Sequence, residues 1–205
     1  MRANQKTKRP DICFVDFETS GLKSWEHEII EIGAVLSDGT TLEIKKQISV
    51  KTKPTKPVSP EAAKINGYTP EKWKDAISIE HGLRLLFPIV EGTRWAGSNP
   101  SFDRQFAHQA ARNAKIEFPR LSTFRMIDTN AMCEPWIFHG RIPHAGLDEL
   151  GKLFDLPPRG EHSALQDALM AREVYRKIVE GFDVERWSKK DPIVETYRPN
   201  RQIGE

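Results

Sequence analysis

The sequence contains little cysteine and no long apolar run. Its 205 residues include two cysteines, Cys13 and Cys133, which are too few for a disulfide framework, so a reducing, cytoplasmic setting is predicted. No apolar run approaches the roughly 20 residues of a membrane-spanning helix. Segment 1–10 is polar and basic and has no apolar core, so it is not expected to be a secretory signal. Membrane-spanning and disulfide-stapled secreted proteins are thereby excluded as classes.

Charge of one sign is also not in large excess. Lysine and arginine number 31 and aspartate and glutamate 29, and a net charge of +2 does not indicate a partner. Two local clusters are basic, namely segment 1–10 and a set of lysines around a proline-containing loop. These lysines are Lys45, Lys46, Lys51, Lys53 and Lys56. Such clusters either hold phosphates or form a solubilising surface, and both interpretations stay open.

The length fits one domain with a sizeable core, flanked by two short segments. Residues 1–10 are predicted to form a basic tail, residues 11–182 the domain, and residues 183–205 a polar and basic C-terminal extension. Trp187 is the one large apolar anchor of that extension, so a docked or partly ordered segment is expected there.

The most informative stretch is an apolar strand that ends in two carboxylates. Residues 12–17 are bulky and apolar apart from Asp16. Such an apolar run is typical of a central strand buried on both sides. Alternation along a strand places Asp16 and Glu18 on the same face. Thr19-Ser20-Gly21 then ends the strand. Two carboxylates so close are costly to bury unless a cation lies between them; the alternative is that both are solvated in a turn.

Three strands joined by short connections follow one another at the start of the chain. Residues 28–36 and 42–50 are predicted strands separated by the turn signal Asp38-Gly39, which makes the three strands an antiparallel meander. Ser59 is predicted to cap a helix that ends at Asn66-Gly67.

The remainder of the chain is predicted to alternate strands and helices. The fold class is therefore α/β, a mixed five-stranded sheet in which the meander is followed by parallel strands, flanked by helices. The remaining helices are predicted at 69–87, 102–114, 129–136, 147–154 and from Ser163 onward, the remaining strands at 93–96 and 124–127, and a loop at 160–162.

Three further polar residues stand where a cluster at the strand end can use them. Asp103 lies in the first turn of a helix just after a strand. Asp167 lies in the first turn of the final helix, which opens with the capping box Ser163 to Gln166, and His162 precedes that helix. Taken singly, the acids are also explained by the helix dipole and the histidine as an ordinary loop residue.

Together these residues resemble the three motifs of the DEDDh exonuclease family, which contains polymerase proofreading subunits, RNase T and oligoribonuclease. The matching segments are DFETSGL at 16–22, NPSFD at 99–103 and HSALQD at 162–167, with support from EIIEIGAV at 28–35, AAKINGYTPE at 62–71, IDT at 127–129 and LDEL at 147–150. The resemblance covers about 11–179. Ser98 stands where members often carry histidine, Pro100 is unusual inside its motif, and segment 134–144 is idiosyncratic.

The resemblance implies an RNase H-like sheet and 3′→5′ hydrolysis of nucleic acid that releases nucleoside 5′-monophosphates. It implies two divalent ions, Mg²⁺ or Mn²⁺, and it gives His162 the role of general base. By the same resemblance, the metal ligands are Asp16, Glu18, Asp103 and Asp167, and the substrate contacts are Thr19, Gly21, Leu22 and Asn99. Trp25 and Trp136 either stack on bases or pack in the ordinary way.

Single-stranded 3′ ends are the implied partner, and DNA is favoured over RNA because the whole pattern looks closer to proofreading subunits. A polymerase or another replication or repair protein is the second partner that the resemblance implies. Two alternatives stay open. One is an RNA-trimming exoribonuclease of the same family, and the other is a non-catalytic nucleic-acid-binding or polymerase-associated scaffold.

Overall fold

The computed structural model describes residues 9–158 and 163–181. Within those residues no helix is both long enough and apolar enough to cross a membrane. The strands are β1 Ile12–Thr19, β2 Ile29–Ser37, β3 Ile44–Lys51, β4 Arg94–Gly97 and β5 Ile127–Asp128. The helices are α1 Pro60–Asn66, α2 Ile79–Val90, α3 Pro100–Ala114, α4 Thr129–Met132, α5 Glu134–Phe138, α6 Leu147–Leu153 and α7 Ala164–Gly181.

The five strands form one mixed sheet in the order β3-β2-β1-β4-β5. Strand β2 pairs antiparallel with both β1 and β3, whereas β4 pairs parallel with β1 and β5 pairs parallel with β4. The predicted fold class is therefore confirmed, with β1 at the centre of the sheet.

Alternation along β1 divides its side chains between two cores. Cys13, Val15 and Phe17 pack on the face covered by α2 and α3. Ile12 and Phe14 pack on the opposite face, against α6 and α7. Since Asp16 and Glu18 continue this second series, both carboxylates lie on the face that α7 covers.

The meander is confirmed, but its second connection is wider than a two-residue turn. The Asp38 carboxylate accepts hydrogen bonds from the backbone N–H groups of Thr40 and Thr41, at 2.8 and 3.0 Å. Leu42 has a positive φ of 62° and is buried in the core beside α7. The next strand therefore begins at Ile44, two residues later than predicted.

The predicted helix over 69–87 is wrong in its first half. Residues 70–75 form turns, because Trp73 turns inward and its Nε1 donates to the carbonyl of Ile30 at 2.7 Å. Ile77 then forms a parallel bridge with Thr52. Helix α2 begins only after Ser78, whose hydroxyl accepts from the N–H of His81 at 3.2 Å.

The other boundaries differ less. The predicted helix over 129–136 is two short helices, α4 and α5, which meet at Cys133. Strand β5 begins at Ile127, three residues later than predicted. The first predicted cap is confirmed, since Ser59 Oγ accepts from the N–H of Ala62 at 3.1 Å and a left-handed Gly67 ends α1.

Helix α7 begins where the capping-box sequence predicts it. The N–H of Gln166 donates to Ser163 Oγ at 3.4 Å, and Ala168 and Ala171 are buried in the same core as Ile12 and Phe14. The predicted loop at 160–162, residues 1–8 of the predicted tail and the whole predicted extension at 183–205 lie outside the described residues.

Candidate active site

The carboxyl end of β1 is held rigidly by the chain that follows it. The pairing of β1 with β2 becomes irregular between Glu18 and Thr19. Ser20 then exchanges hydrogen bonds with Glu28: its N–H donates to the Glu28 carbonyl at 2.8 Å, and its hydroxyl accepts from the Glu28 N–H at 2.9 Å. The loop after the two acids is therefore fixed against the start of β2.

Three of the predicted acids meet beside this strand end. Carboxylate oxygens of Asp16, Glu18 and Asp167 all lie within 4.8 Å of one another. Strand β1 supplies the first two, and the first turn of α7 supplies the third, of which Oδ1 is buried. Carboxylates this close repel one another, and an all-oxygen donor set is the kind that Mg²⁺ and Mn²⁺ prefer. The residues present therefore fit a divalent cation.

Asp103 reaches the same strand from the first turn of α3. Its side chain is 3% exposed, and Oδ1 accepts from the N–H of Phe17, between the two β1 acids, at 2.8 Å. The pKa of the Asp103 carboxyl is raised from 3.8 to about 8. Burial is the main cause and the charge of Glu18 adds to it, whereas two backbone hydrogen bonds oppose the rise. Asp103 is thus a partner of the three-acid group rather than a member of it.

In metal-free protein, Asp103→Asn is expected to alter how stability depends on pH. The folded-state pKa lies above the unfolded value, so the stabilising effect of the bound proton is complete below about pH 4 and is lost as pH rises towards about 8. Across this pH window the free energy of unfolding of the wild type should therefore fall, relative to that of Asp103→Asn, by of the order of a few kcal/mol. Urea unfolding at several pH values in chelator measures the difference, and a pH-independent difference would contradict the assignment.

A cleft of about 520 Å³ opens next to Glu18. Thr19, Gly21 and Leu22, which were predicted to contact substrate, all line it. Leu22, which is 81% exposed, and Ile65 of α1, which is 65% exposed, both line the cleft. Two apolar side chains that face an open cleft form a surface that suits a flat, aromatic ligand.

Ile65, Asn66 and His27 are also among the residues that line this cleft, although no role in substrate binding was predicted for them from the sequence. Ile65 and Asn66 lie in α1, where Asn66 Nδ2 donates to the Thr19 carbonyl at 3.1 Å and so holds the loop in place. His27 lies directly behind Gly21, where any β-carbon would overlap the imidazole ring. The signal was present in the segment AAKIN, where an apolar residue directly precedes the Asn-Gly that ends the helix.

Asn99 occupies a different place from the other predicted substrate contacts. It adopts a left-handed conformation, with φ 57° and ψ 53°, just before α3. Its N–H donates to Asp128 Oδ1 at 3.4 Å, and its side chain accepts from the hydroxyl of Ser101. Asn99 is not among the described residues that line the cleft, and its contact with substrate stays a prediction.

The remaining candidates divide between exposed and structural positions. Trp25 is 66% exposed, whereas Trp136 is partly buried and packs edge-on against Phe154. Within the lysine cluster, Lys45 forms ion pairs with Asp11 and Asp38, which favours the surface interpretation for that residue. His162 lies outside the described residues, so its role as general base also stays a prediction.

Comparison with known proteins gives a consistent family. A sequence profile of the RNase T family, described as exonuclease, matches residues 13–175. The chain is 30% identical over 173 residues to DNA polymerase III PolC-type of Thermotoga maritima. The aligned region covers 83% of this chain and 12% of the polymerase. The chain is 28% identical over 167 residues to DNA polymerase III subunit epsilon of Treponema pallidum, covering 80% of this chain and 74% of that subunit.

The solved structures agree on the fold. The nuclease domain of 3′hExo, described as a DEDDh family member bound to rAMP, superposes with a TM-score of 0.65 at 16% identity, covering 87% of this chain and 95% of that domain. Because the family profile spans more than half of the sequence, the chain belongs to the RNase T family of exonucleases. The description of 3′hExo as a DEDDh family member agrees with the motifs found in the sequence.

Proposed function

We propose that this protein is a 3′→5′ exonuclease that removes nucleoside 5′-monophosphates from single-stranded nucleic acid, with DNA as the favoured substrate. The observation that carries the proposal is the approach of the carboxylates of Asp16, Glu18 and Asp167 to within 4.8 Å beside an open cleft. A cleft next to a metal-binding cluster can hold the last nucleotide of a strand while its phosphodiester lies at the acids.

In this proposal the four acids bind two divalent ions, Mg²⁺ or Mn²⁺, which, when bound, stabilise charge on the attacking and leaving oxygens. Asp16, Glu18 and Asp167 provide the close ligands. Asp103 is kept near Glu18 by its hydrogen bond from Phe17, and His162 takes a proton from the attacking water.

The cleft supports selection of a free chain end. Leu22 and Ile65 provide apolar surfaces on which a terminal base can pack, and Glu18 connects the cleft to the acids. The relatives in DNA polymerase III favour DNA, whereas the rAMP bound to 3′hExo keeps RNA as the alternative. A non-catalytic scaffold is disfavoured because Asp16, Glu18, Asp103, His162 and Asp167 are all present.

The same relatives support a wider setting for the domain. The chain spans only 12% of the length of the PolC-type polymerase that it matches. We propose association with a polymerase by analogy with this relative and with the epsilon subunit. The division into a tail at 1–10, an exonuclease domain at 11–182 and an extension at 183–205 remains part of the proposal, as does a cytoplasmic location.

The proposal is tested with matched 5′-labelled single-stranded DNA and RNA oligonucleotides in Mg²⁺, analysed on a sequencing gel. We expect the label to move down a ladder that shortens from the 3′ end, faster for DNA than for RNA. Asp16→Asn should give no ladder. A faster RNA ladder would reassign the substrate, and full-length product in both Mg²⁺ and Mn²⁺ would favour the scaffold.

A further inference from the structure

Strand β2 contributes a buried carboxylate that the proposed reaction does not use. Glu31 is only 3% exposed, although an unpaired carboxylate is costly to bury. In the antiparallel register Glu31 lies directly opposite Glu18, and Gly33 lies directly opposite Asp16. Directly opposed residues share a face of the sheet, so Glu31 and Gly33 face the same helix as the two β1 acids.

That helix approaches β2 through its own first residues. Burial raises the pKa of the Glu31 carboxyl, the nearby backbone N–H of Ala164 lowers it, and the charge of Asp167 is close enough to raise it further. The first N–H groups of a helix have no partner inside the helix. Glu31 is therefore placed to satisfy one of them, at the point where α7 begins.

The absence of a side chain at Gly33 allows this close approach. A β-carbon at position 33 would overlap the backbone of Ala164 and Leu165. The backbone of α7 thus rests on the sheet at the position opposite Asp16. Asp167, one helical turn further on, is brought beside Asp16 and Glu18 as a consequence.

We propose that Glu31 is a positioning residue of the acid cluster, which fixes the start of α7 over Gly33 so that Asp167 is held in register with Asp16 and Glu18. The inference rests on the proposed function, because the register of Asp167 matters only if the cluster binds metal. Glu31 acts by accepting a hydrogen bond, which does not require its negative charge. Glutamine at position 31 should therefore preserve the function, whereas an apolar side chain of similar length should not.

The experiment compares Glu31→Met with Glu31→Gln by calorimetric titration with Mn²⁺ alone, without nucleic acid. Loss of a residue that orients a metal ligand typically weakens metal binding 10- to 100-fold, and this loss is expected for Glu31→Met. Glu31→Gln should bind Mn²⁺ close to the wild-type affinity. Hydrogen exchange at the Ala164 amide should speed up in Glu31→Met and stay slow in Glu31→Gln.

Thr93→Val is the matched control, because the buried Thr93 hydroxyl donates to the Val90 carbonyl at 2.8 Å, away from the acid cluster. It should lower stability without changing Mn²⁺ affinity. If Glu31→Met does not fold, Gly33→Ala tests the same helix placement with Glu31 intact, and it should also weaken Mn²⁺ binding.

Wild-type Mn²⁺ affinity in Glu31→Met would overturn the inference, as would wild-type affinity in Gly33→Ala if that variant has to replace Glu31→Met. An equal loss of Mn²⁺ affinity in Glu31→Met and Glu31→Gln would also overturn it. A wild type that binds no Mn²⁺ would instead overturn the proposed metal site itself, so the two failures are distinguishable.

Discussion

Replacing Asp16 with asparagine is expected to lower the rate of hydrolysis at least about a thousandfold, because metal-assisted charge stabilisation contributes several kcal/mol to the barrier. Asp16 lies with Glu18 and Asp167 in the three-acid group, so its carboxylate is central to any cation bound there. Asparagine keeps the shape of the side chain and removes the charge. Single-turnover cleavage of a labelled oligonucleotide in saturating Mg²⁺ measures the effect.

The same variant makes an opposite prediction for stability. Without metal, Asp16→Asn removes one of three mutually repelling charges, so the metal-free variant should unfold at a higher temperature than the metal-free wild type. Added Mg²⁺ should stabilise the wild type and leave the variant nearly unchanged. Asp75→Asn, at an exposed position, is the matched control and should behave as the wild type. Hydrolysis by Asp16→Asn at the wild-type rate would contradict the proposed site.

The position of Asp16 and Glu18 could be predicted from sequence because it depends on local geometry. Alternation along an apolar strand places both carboxylates on one face, and Thr19-Ser20-Gly21 ends the strand beside them. Asp103 and Asp167 were identified through the family resemblance, since no local pattern shows that two helix starts distant in sequence meet at one strand.

The features that sequence reasoning missed depend on contacts between distant segments. The start of α2 is delayed because Trp73 donates to Ile30 and Ile77 bridges to Thr52, and these contacts take the place of the first part of the helix predicted over 69–87. The role of Gly33 is equally invisible in the sequence, since only the folded chain shows the backbone of α7 against it.

Replacing His162 with alanine is expected to lower turnover roughly 100-fold or more, the usual effect of losing a general base. The ordinary pKa of histidine, about 6.5, allows an imidazole to accept a proton near neutral pH. His162 directly precedes Ser163 in the sequence, and the helix that carries Asp167 begins just after Ser163. The variant must therefore be shown to retain the metal site. The Mg²⁺ concentration for half-maximal rate should therefore stay unchanged while the maximal rate falls.

The pH profile and chemical rescue separate a general base from a structural histidine. The wild-type rate should rise with pH and level off above the histidine pKa, whereas the His162→Ala rate should keep rising with hydroxide. Added imidazole should restore part of the activity of His162→Ala. His81→Ala, at an exposed position of α2, should show neither effect. A His162→Ala rate equal to that of the wild type would remove this histidine from the mechanism, while leaving the acid cluster as the source of catalysis.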